Sequence, residues 1–149
     1  VITTRTYLLI AFLLTLSLSA SANGWTLKDK DGVDYSLSTL KGRWVLVNFW
    51  APWCPSCIQE MPDLSSLQKQ HKDLQVIGVA VMYKTHREVM DMAQNLPYPI
   101  VFGNEDTAGD FGGMAGLPTS FLYSPTGKLV SRYDGPLPVV KVEQAMAQK

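Results

Sequence analysis

Cys54 and Cys57 are the only cysteines in the chain, and they stand two residues apart in Trp50-Ala51-Pro52-Trp53-Cys54-Pro55-Ser56-Cys57. A disulfide that staples a fold gains most of its effect by closing a long loop, and this one would close almost none. The pair is therefore read as chemistry, a dithiol that opens and closes. Pro55 suits the first position of a helix, where its missing N–H is no loss. Cys54 would then sit at a helix N-terminus, where free N–H groups and the helix dipole favour a thiolate. Cys54 is assigned as the nucleophile and Cys57, one turn along, as the thiol that resolves the mixed disulfide. Glu60 lies about one further turn on, where a carboxylate can exchange protons with the thiols and tune Cys57.

A structural disulfide and a metal site are the alternatives. Two cysteines make half a zinc site, and His71 and His86, the only histidines, fall on different predicted elements and are read as solvated. Haem attachment requires His after the second cysteine, where this chain has Ile58. The expectation is no metal and no cofactor. A peroxidase is disfavoured because Pro52-Trp53 stand where a peroxidatic cysteine needs a threonine.

These residues have to be positioned by the elements around them. Trp44–Trp50 is nearly continuously apolar, the pattern of a strand covered on both faces. Residues 55–70 carry Ile58, Met61, Leu64 and Leu67 at spacings of three, read as the apolar face of a helix. Residues 74–81 form a second buried strand. Residues 85–96 read as a helix with Val89, Met90 and Ala93 inward. Residues 99–102 form a short strand, and residues 106–111 a brief helix. Residues 119–123 and 128–133 are strands joined by Ser124-Pro125-Thr126-Gly127, and residues 138–148 a closing helix. Ahead of these, Lys28-Asp29-Lys30-Asp31-Gly32 between short apolar runs predicts an N-terminal hairpin. The order implies an α/β domain with a mixed central sheet.

The first residues read as an export signal. Arg5 precedes an uncharged apolar stretch, Tyr7 to Leu18, and Ala20 and Ala22 follow in the spacing that signal peptidases accept. The stretch is about 12 residues, and a membrane span needs about 20. Residues 1–22 are therefore expected to be cleaved, leaving 23–149 as one domain; without cleavage the chain would be membrane-anchored. The 149 residues carry 13 Lys+Arg and 13 Asp+Glu with no run of like charge, so no nucleic-acid footprint is expected. An exported dithiol enters an oxidising compartment and must be kept reduced by a partner or act as an oxidant.

The run Asn48-Phe49-Trp50-Ala51-Pro52-Trp53-Cys54-Pro55-Ser56-Cys57, continued by Glu60-Met61-Pro62, resembles the thioredoxin superfamily, in particular its exported TlpA/ResA/DsbE-like members. A second match is Gly116-Leu117-Pro118-Thr119-Ser120-Phe121-Leu122. The resemblance spans roughly Gly24 to Gln148 and implies a thioredoxin fold whose central insertion is the helix and strand between Thr85 and Phe102. It implies that Cys54 is the more exposed cysteine and that Pro118 is a cis-proline beside the dithiol. Leu117 would keep its backbone free to pair with a partner segment. Trp53, Pro55, Leu117, Pro118 and Thr119 form the expected partner-binding set, and Met114 is read as packing. That branch carries a glutamate at the Glu60 position. Thioredoxins have a buried Asp where this chain has Asn48, which is read as half-buried and hydrogen-bonded and leaves Glu60 as the local proton acceptor.

The implied function is a protein-disulfide reductase of the periplasm or another envelope compartment. It would be a monomer that takes electrons from a membrane thiol donor and reduces oxidised envelope proteins, apocytochrome c among them. An envelope oxidant, or a metallochaperone or binding module on the same fold, remains the alternative.

Overall fold

The computed structural model describes residues 24–148; the expected export signal lies outside them. In chain order the elements are β1 (Thr26–Lys28), β2 (Asp34–Ser36), β3 (Trp44–Trp50), α1 (Pro55–Gln70), β4 (Leu74–Ala80) and α2 (His86–Ala93). They continue with β5 (Ile100–Phe102), α3 (Glu105–Gly109), β6 (Thr119–Tyr123), β7 (Leu129–Asp134) and α4 (Val139–Ala147). Strands β1 and β2 pair as the predicted hairpin, whose turn is closed by Asp29 accepting from the Asp31 and Val33 N–H groups. The other five strands form one mixed sheet in the order β5-β4-β3-β6-β7. β3 runs parallel to β4 and antiparallel to β6, so it sits at the centre.

All seven residues of β3 are buried, as a strand covered on both faces requires. Side chains alternate between faces. Trp44, Leu46 and Trp50 belong to the core that includes Met61, Leu64 and Leu67 of α1 and Val142 and Met146 of α4. Val45, Val47 and Phe49 face the opposite core, with Trp25 and Leu27 of the hairpin and Phe111 after α3. The same alternation assigns Asn48 to the α1 face. The α2–β5 unit extends the sheet at the β4 edge, where the insertion was expected.

Three expected placements change. Ile58 is exposed, and the buried line of α1 is Cys57, Glu60, Met61, Leu64 and Leu67. A strict spacing of three drifts about 60° per step around a helix, so the first member of such a row leaves the buried side. Met90 is only partly buried; Val89 and Ala93 carry the inner face of α2, and Met92 packs against the core. Asn48 is fully buried rather than half-buried.

Gly103, at the end of β5, is held by close approach. A Cβ there would lie 2.6 Å from Val79 Cγ1 and 3.3 Å from the Ala80 carbonyl oxygen. Gly103→Ala is expected to destabilise the domain by about 1–3 kcal/mol through overpacking, read as a lower urea midpoint with an unchanged slope. An unaltered midpoint would mean that β5 moves freely against β4.

Candidate active site

β3 ends at Trp50, and the chain turns through Ala51 and Pro52 to deliver Cys54 at the start of α1. Cys54 is the N-cap of that helix. Its extended backbone (φ −94°, ψ 106°) turns the side chain back, so Sγ accepts the Cys57 N–H at 3.3 Å. A sulfur in this position receives a backbone donor and the positive end of the helix dipole, both of which favour negative charge. Cys54 and Cys57 are joined as a disulfide, with Cα atoms 5.3 Å apart. Cys54 keeps 4% of its surface exposed and Cys57 1%, so the attackable sulfur is the outer one. Ser56 Oγ lies 3.5 Å from Cys54 Sγ. Pro55 takes the first helical position and is exposed.

Trp53 projects outward with 58% of its surface exposed. Its indole N–H donates to the Met82 carbonyl at 2.8 Å. Met82 is itself exposed and has φ 52°, a left-handed conformation uncommon for a non-glycine residue. The loop after β4 thus bends to brace the tryptophan. Nothing in the residue pattern around Met82 signals this, because the contact depends on β3 and β4 ending side by side.

The Leu117–Pro118 peptide bond is cis. Register explains how this loop reaches the dithiol: Thr119 pairs with Phe49, so the residues before Thr119 run past the end of β3 toward Cys54. Leu117 packs, half-buried, against the core cluster that contains both cysteines. Among the described residues, no hydrogen bond uses the Leu117 N–H or carbonyl. Pro118 is buried, and its carbonyl accepts from Gly135 N–H at 2.8 Å. Thr119 is fully buried, and its hydroxyl donates to the Gly116 carbonyl at 2.8 Å. Thr119 therefore holds the loop in shape, while Trp53, Pro55 and Leu117 supply the accessible surface. Met114 packs at the edge of the opposite core.

Glu60 is the buried acid of the site, with 5% of its surface exposed. One oxygen accepts from Asn48 Nδ2 at 2.7 Å and the other from the Leu137 N–H at 2.8 Å. Asn48 Nδ2 also donates to Ser120 Oγ at 3.0 Å, its register partner on β6. Burial pushes the Glu60 carboxyl above its ordinary value, and the hydrogen bonds from Leu137 and Asn48 oppose that shift in part. Burial also raises the Tyr98 phenol, with a smaller contribution from the Glu60 charge. Tyr98 and Leu137 were not apparent as site residues from the sequence. They arrive from the loops before β5 and after β7, and neither carries a local motif. Both histidines lie at the surface, as read from the sequence, and each has a neighbour there: partly exposed His71 meets Glu143 at 3.2 Å, and exposed His86 stacks on Phe102 with ring centres 3.8 Å apart.

The arrangement can exchange a dithiol for a disulfide at the outer, helix-capped sulfur, with a buried carboxylate about one turn further along α1 from the inner cysteine. Residues 18–132 match the model of the AhpC/TSA family. The thioredoxin-like protein YneN of Bacillus subtilis is 32% identical over 131 residues, covering 84% of this chain and 76% of that protein. The thiol-disulfide oxidoreductase ResA of the same organism is 32% identical over 126 residues, covering 81% and 69%. The solved thiol:disulfide interchange protein of Chlorobium tepidum superposes with a TM-score of 0.72 at 28% identity, covering 83% of this chain and 90% of that one. Dithiol, fold and relatives agree, and the chain belongs to the AhpC/TSA family, among its thioredoxin-fold thiol–disulfide oxidoreductases of the ResA and DsbE type.

Proposed function

We propose that this oxidoreductase works as a reductase of disulfides in exported proteins. The observation that carries the direction is the buried Glu60 carboxylate on the same helix as the dithiol. Negative charge and low dielectric beside Cys57 oppose a second negative charge on sulfur. The segment from Trp44 to Gln59 contains no charged side chain, so no local cation offsets this effect. A dithiol whose thiolate is poorly stabilised favours the disulfide state and is therefore a good electron donor. The helix cap on Cys54 acts in the opposite sense, and it supports the alternative of an oxidant.

The catalytic set is Cys54, Cys57 and Glu60. The Cys54 thiolate attacks one sulfur of a partner disulfide; that bond breaks, and the partner's other cysteine leaves as a thiolate. Cys57 gives its proton to the Glu60 carboxylate and attacks Cys54 Sγ. The mixed disulfide breaks, the partner leaves with two added electrons, and the Cys54–Cys57 disulfide remains. A thiol donor at the membrane would return the pair to the dithiol. Trp53, Pro55, Leu117, Pro118 and Thr119 form the docking region, with the free Leu117 backbone pairing the partner's extended segment.

The proposed setting is the periplasm or an equivalent envelope compartment, reached by the apolar leader with cleavage after Ala22. The partners are oxidised envelope proteins, apocytochrome c among them, and the protein acts as a monomer. Among the described residues no helix is long and apolar enough to cross a membrane.

The test is the reduction potential, followed by tryptophan fluorescence in defined thiol buffers. A value near that of thioredoxin, about −270 mV, is expected; one near that of DsbA, about −120 mV, would make the protein an oxidant.

A further inference from the structure

The end of the sheet opposite the dithiol has a composition that disulfide exchange does not explain. β3 and β4 begin there, β6 ends there, and β7 starts there, because β3 and β4 are parallel and β6 is antiparallel to both β3 and β7. The loops at this end are tied together. Gly42 N–H donates to the Pro125 carbonyl, and Trp44 N–H to the Asp73 carbonyl. The Arg43 guanidinium donates to the Leu74 carbonyl at 2.9 Å and to Gln75 at 3.2 Å. Between these loops and the end of α4 runs an open groove of about 640 Å³, lined by Trp44, Pro125, Lys128, Leu129, Val130 and Ala145, among others. Leu129 and Val130 are exposed at 45% and 43%.

The charges around this apolar patch are mostly of one sign. Lys41, Lys69, Lys72 and Lys128 are exposed, and Arg43 is half-buried among them. The carboxylates on the same end are Asp73, which lines the groove, and Glu143, which is engaged with His71. In a chain of zero formal net charge, five cations against two carboxylates leave this end positive and the remainder negative. Gly24 shares a second groove at this end with Lys41, Thr126 and Gly127.

Exposed aliphatic side chains inside a ring of lysines match the interface of an anionic bilayer, where apolar groups enter the headgroup boundary and lysines meet lipid phosphates. We propose that this end of the domain, centred on Lys41, Lys72, Lys128, Leu129 and Val130, is a docking face for anionic phospholipid surfaces. The face does not depend on the direction of electron flow. It has a steric consequence for exchange. β3 runs for seven residues from Trp44 to Trp50, so the dithiol would stand at least about 20 Å from the bilayer, pointing away from it. A donor or acceptor must then present its cysteines on a part that projects from the membrane.

The test uses the mature chain, residues 23–149, and vesicles of phosphatidylcholine alone or with about 30% phosphatidylglycerol, a composition that supplies an anionic surface. The unsubstituted chain is expected to partition more strongly onto the anionic vesicles, with the increment lost as salt rises. Combining Lys41→Glu, Lys72→Glu and Lys128→Glu should remove that increment, a loss of about a hundredfold at about fivefold per cation. Partitioning onto neutral vesicles should be unchanged by the triple substitution. Leu129→Ser with Val130→Ser should weaken partitioning onto both. Unchanged thermal unfolding, and unchanged exchange with a small-molecule disulfide, establish that the variants are folded and leave the dithiol intact. The proposal is overturned if the triple variant matches the unsubstituted chain on anionic vesicles. It is equally overturned if the patch substitutions act only by dissociating a dimer, which would assign the face to a second copy. Loss of disulfide exchange in the unsubstituted chain would sink the redox reading and leave the vesicle result standing.

Discussion

Cys57→Ser should leave the protein able to attack disulfides but unable to let go of them. The argument is geometric. Cys54 Sγ is the N-cap acceptor of α1 and the less buried sulfur, and neither property depends on the Cys57 side chain, since the capping donor is the Cys57 backbone N–H. The first exchange step therefore survives. The second step needs a thiol one turn inside the helix, and a serine hydroxyl does not replace it. Covalent adducts between Cys54 and partner proteins should accumulate, visible as reductant-sensitive bands on a non-reducing gel. Turnover of an insulin-type disulfide substrate should fall by at least about 10³-fold, the scale seen when a nucleophile or its direct partner is removed. Cys54→Ser should abolish both turnover and adducts. Equal adduct formation by the two variants would reverse the assigned roles.

Glu60→Gln is the second substitution with a large expected effect, and it has two separable readouts. Catalysis should slow by about 10²-fold at neutral pH, the lower end of general acid–base contributions, because the amide cannot take the Cys57 proton. The slowed step should be release of the mixed disulfide, so substrate dependence should change less than maximal rate. Stability should respond in the other direction. The folded-state carboxyl lies above the ordinary value of 4.5, with burial as the main cause. An acid with a raised folded value binds its proton more tightly when folded. Its stabilising contribution is complete below the unfolded value and is lost as pH rises through the folded value. Glutamine carries no such dependence. The stability difference should therefore move in favour of the Gln variant as pH rises above the ordinary carboxyl value of 4.5, measured by urea unfolding from acid to neutral pH. A difference that moved toward the wild type as pH rose would mean that the Asn48 and Leu137 hydrogen bonds outweigh burial. Glu60→Leu should be worse than Gln throughout. It leaves the Leu137 N–H and one of the two Asn48 amide hydrogens without acceptors, the other still donating to Ser120, at a cost of about 1–3 kcal/mol for each unsatisfied donor.

Much of this site was legible in the chain because its signals are local. The Cys-Pro-Ser-Cys spacing, the proline at the first helical position and the apolar run ahead of them all act over one or two turns. Thus β3, α1 and β6 begin and end at the expected residues. Where the reading depended on which side of a helix faces inward, it was weaker. Ile58 and Met90 had the right residue type at approximate spacing, and the angle at which α1 and α2 lie on the sheet decided against them. Pro118 and Thr119 were recognisable as part of a loop beside the dithiol, but their burial follows from β6 pairing with β3.

From the residues alone come the redox cysteine pair and the order of strands and helices, because residue spacing and short-range periodicity are properties of the chain itself. Tertiary structure decided how the site is wired. Bonded partners within the set Asn48, Glu60, Ser120 and Leu137 lie up to 77 positions apart, and they form one hydrogen-bonded set only because β3, α1, β6 and the loop after β7 converge. The Trp53–Met82 brace and the cationic end of the sheet have the same origin. Each gathers residues that are unremarkable in sequence, and strand pairing brings them within reach of one another.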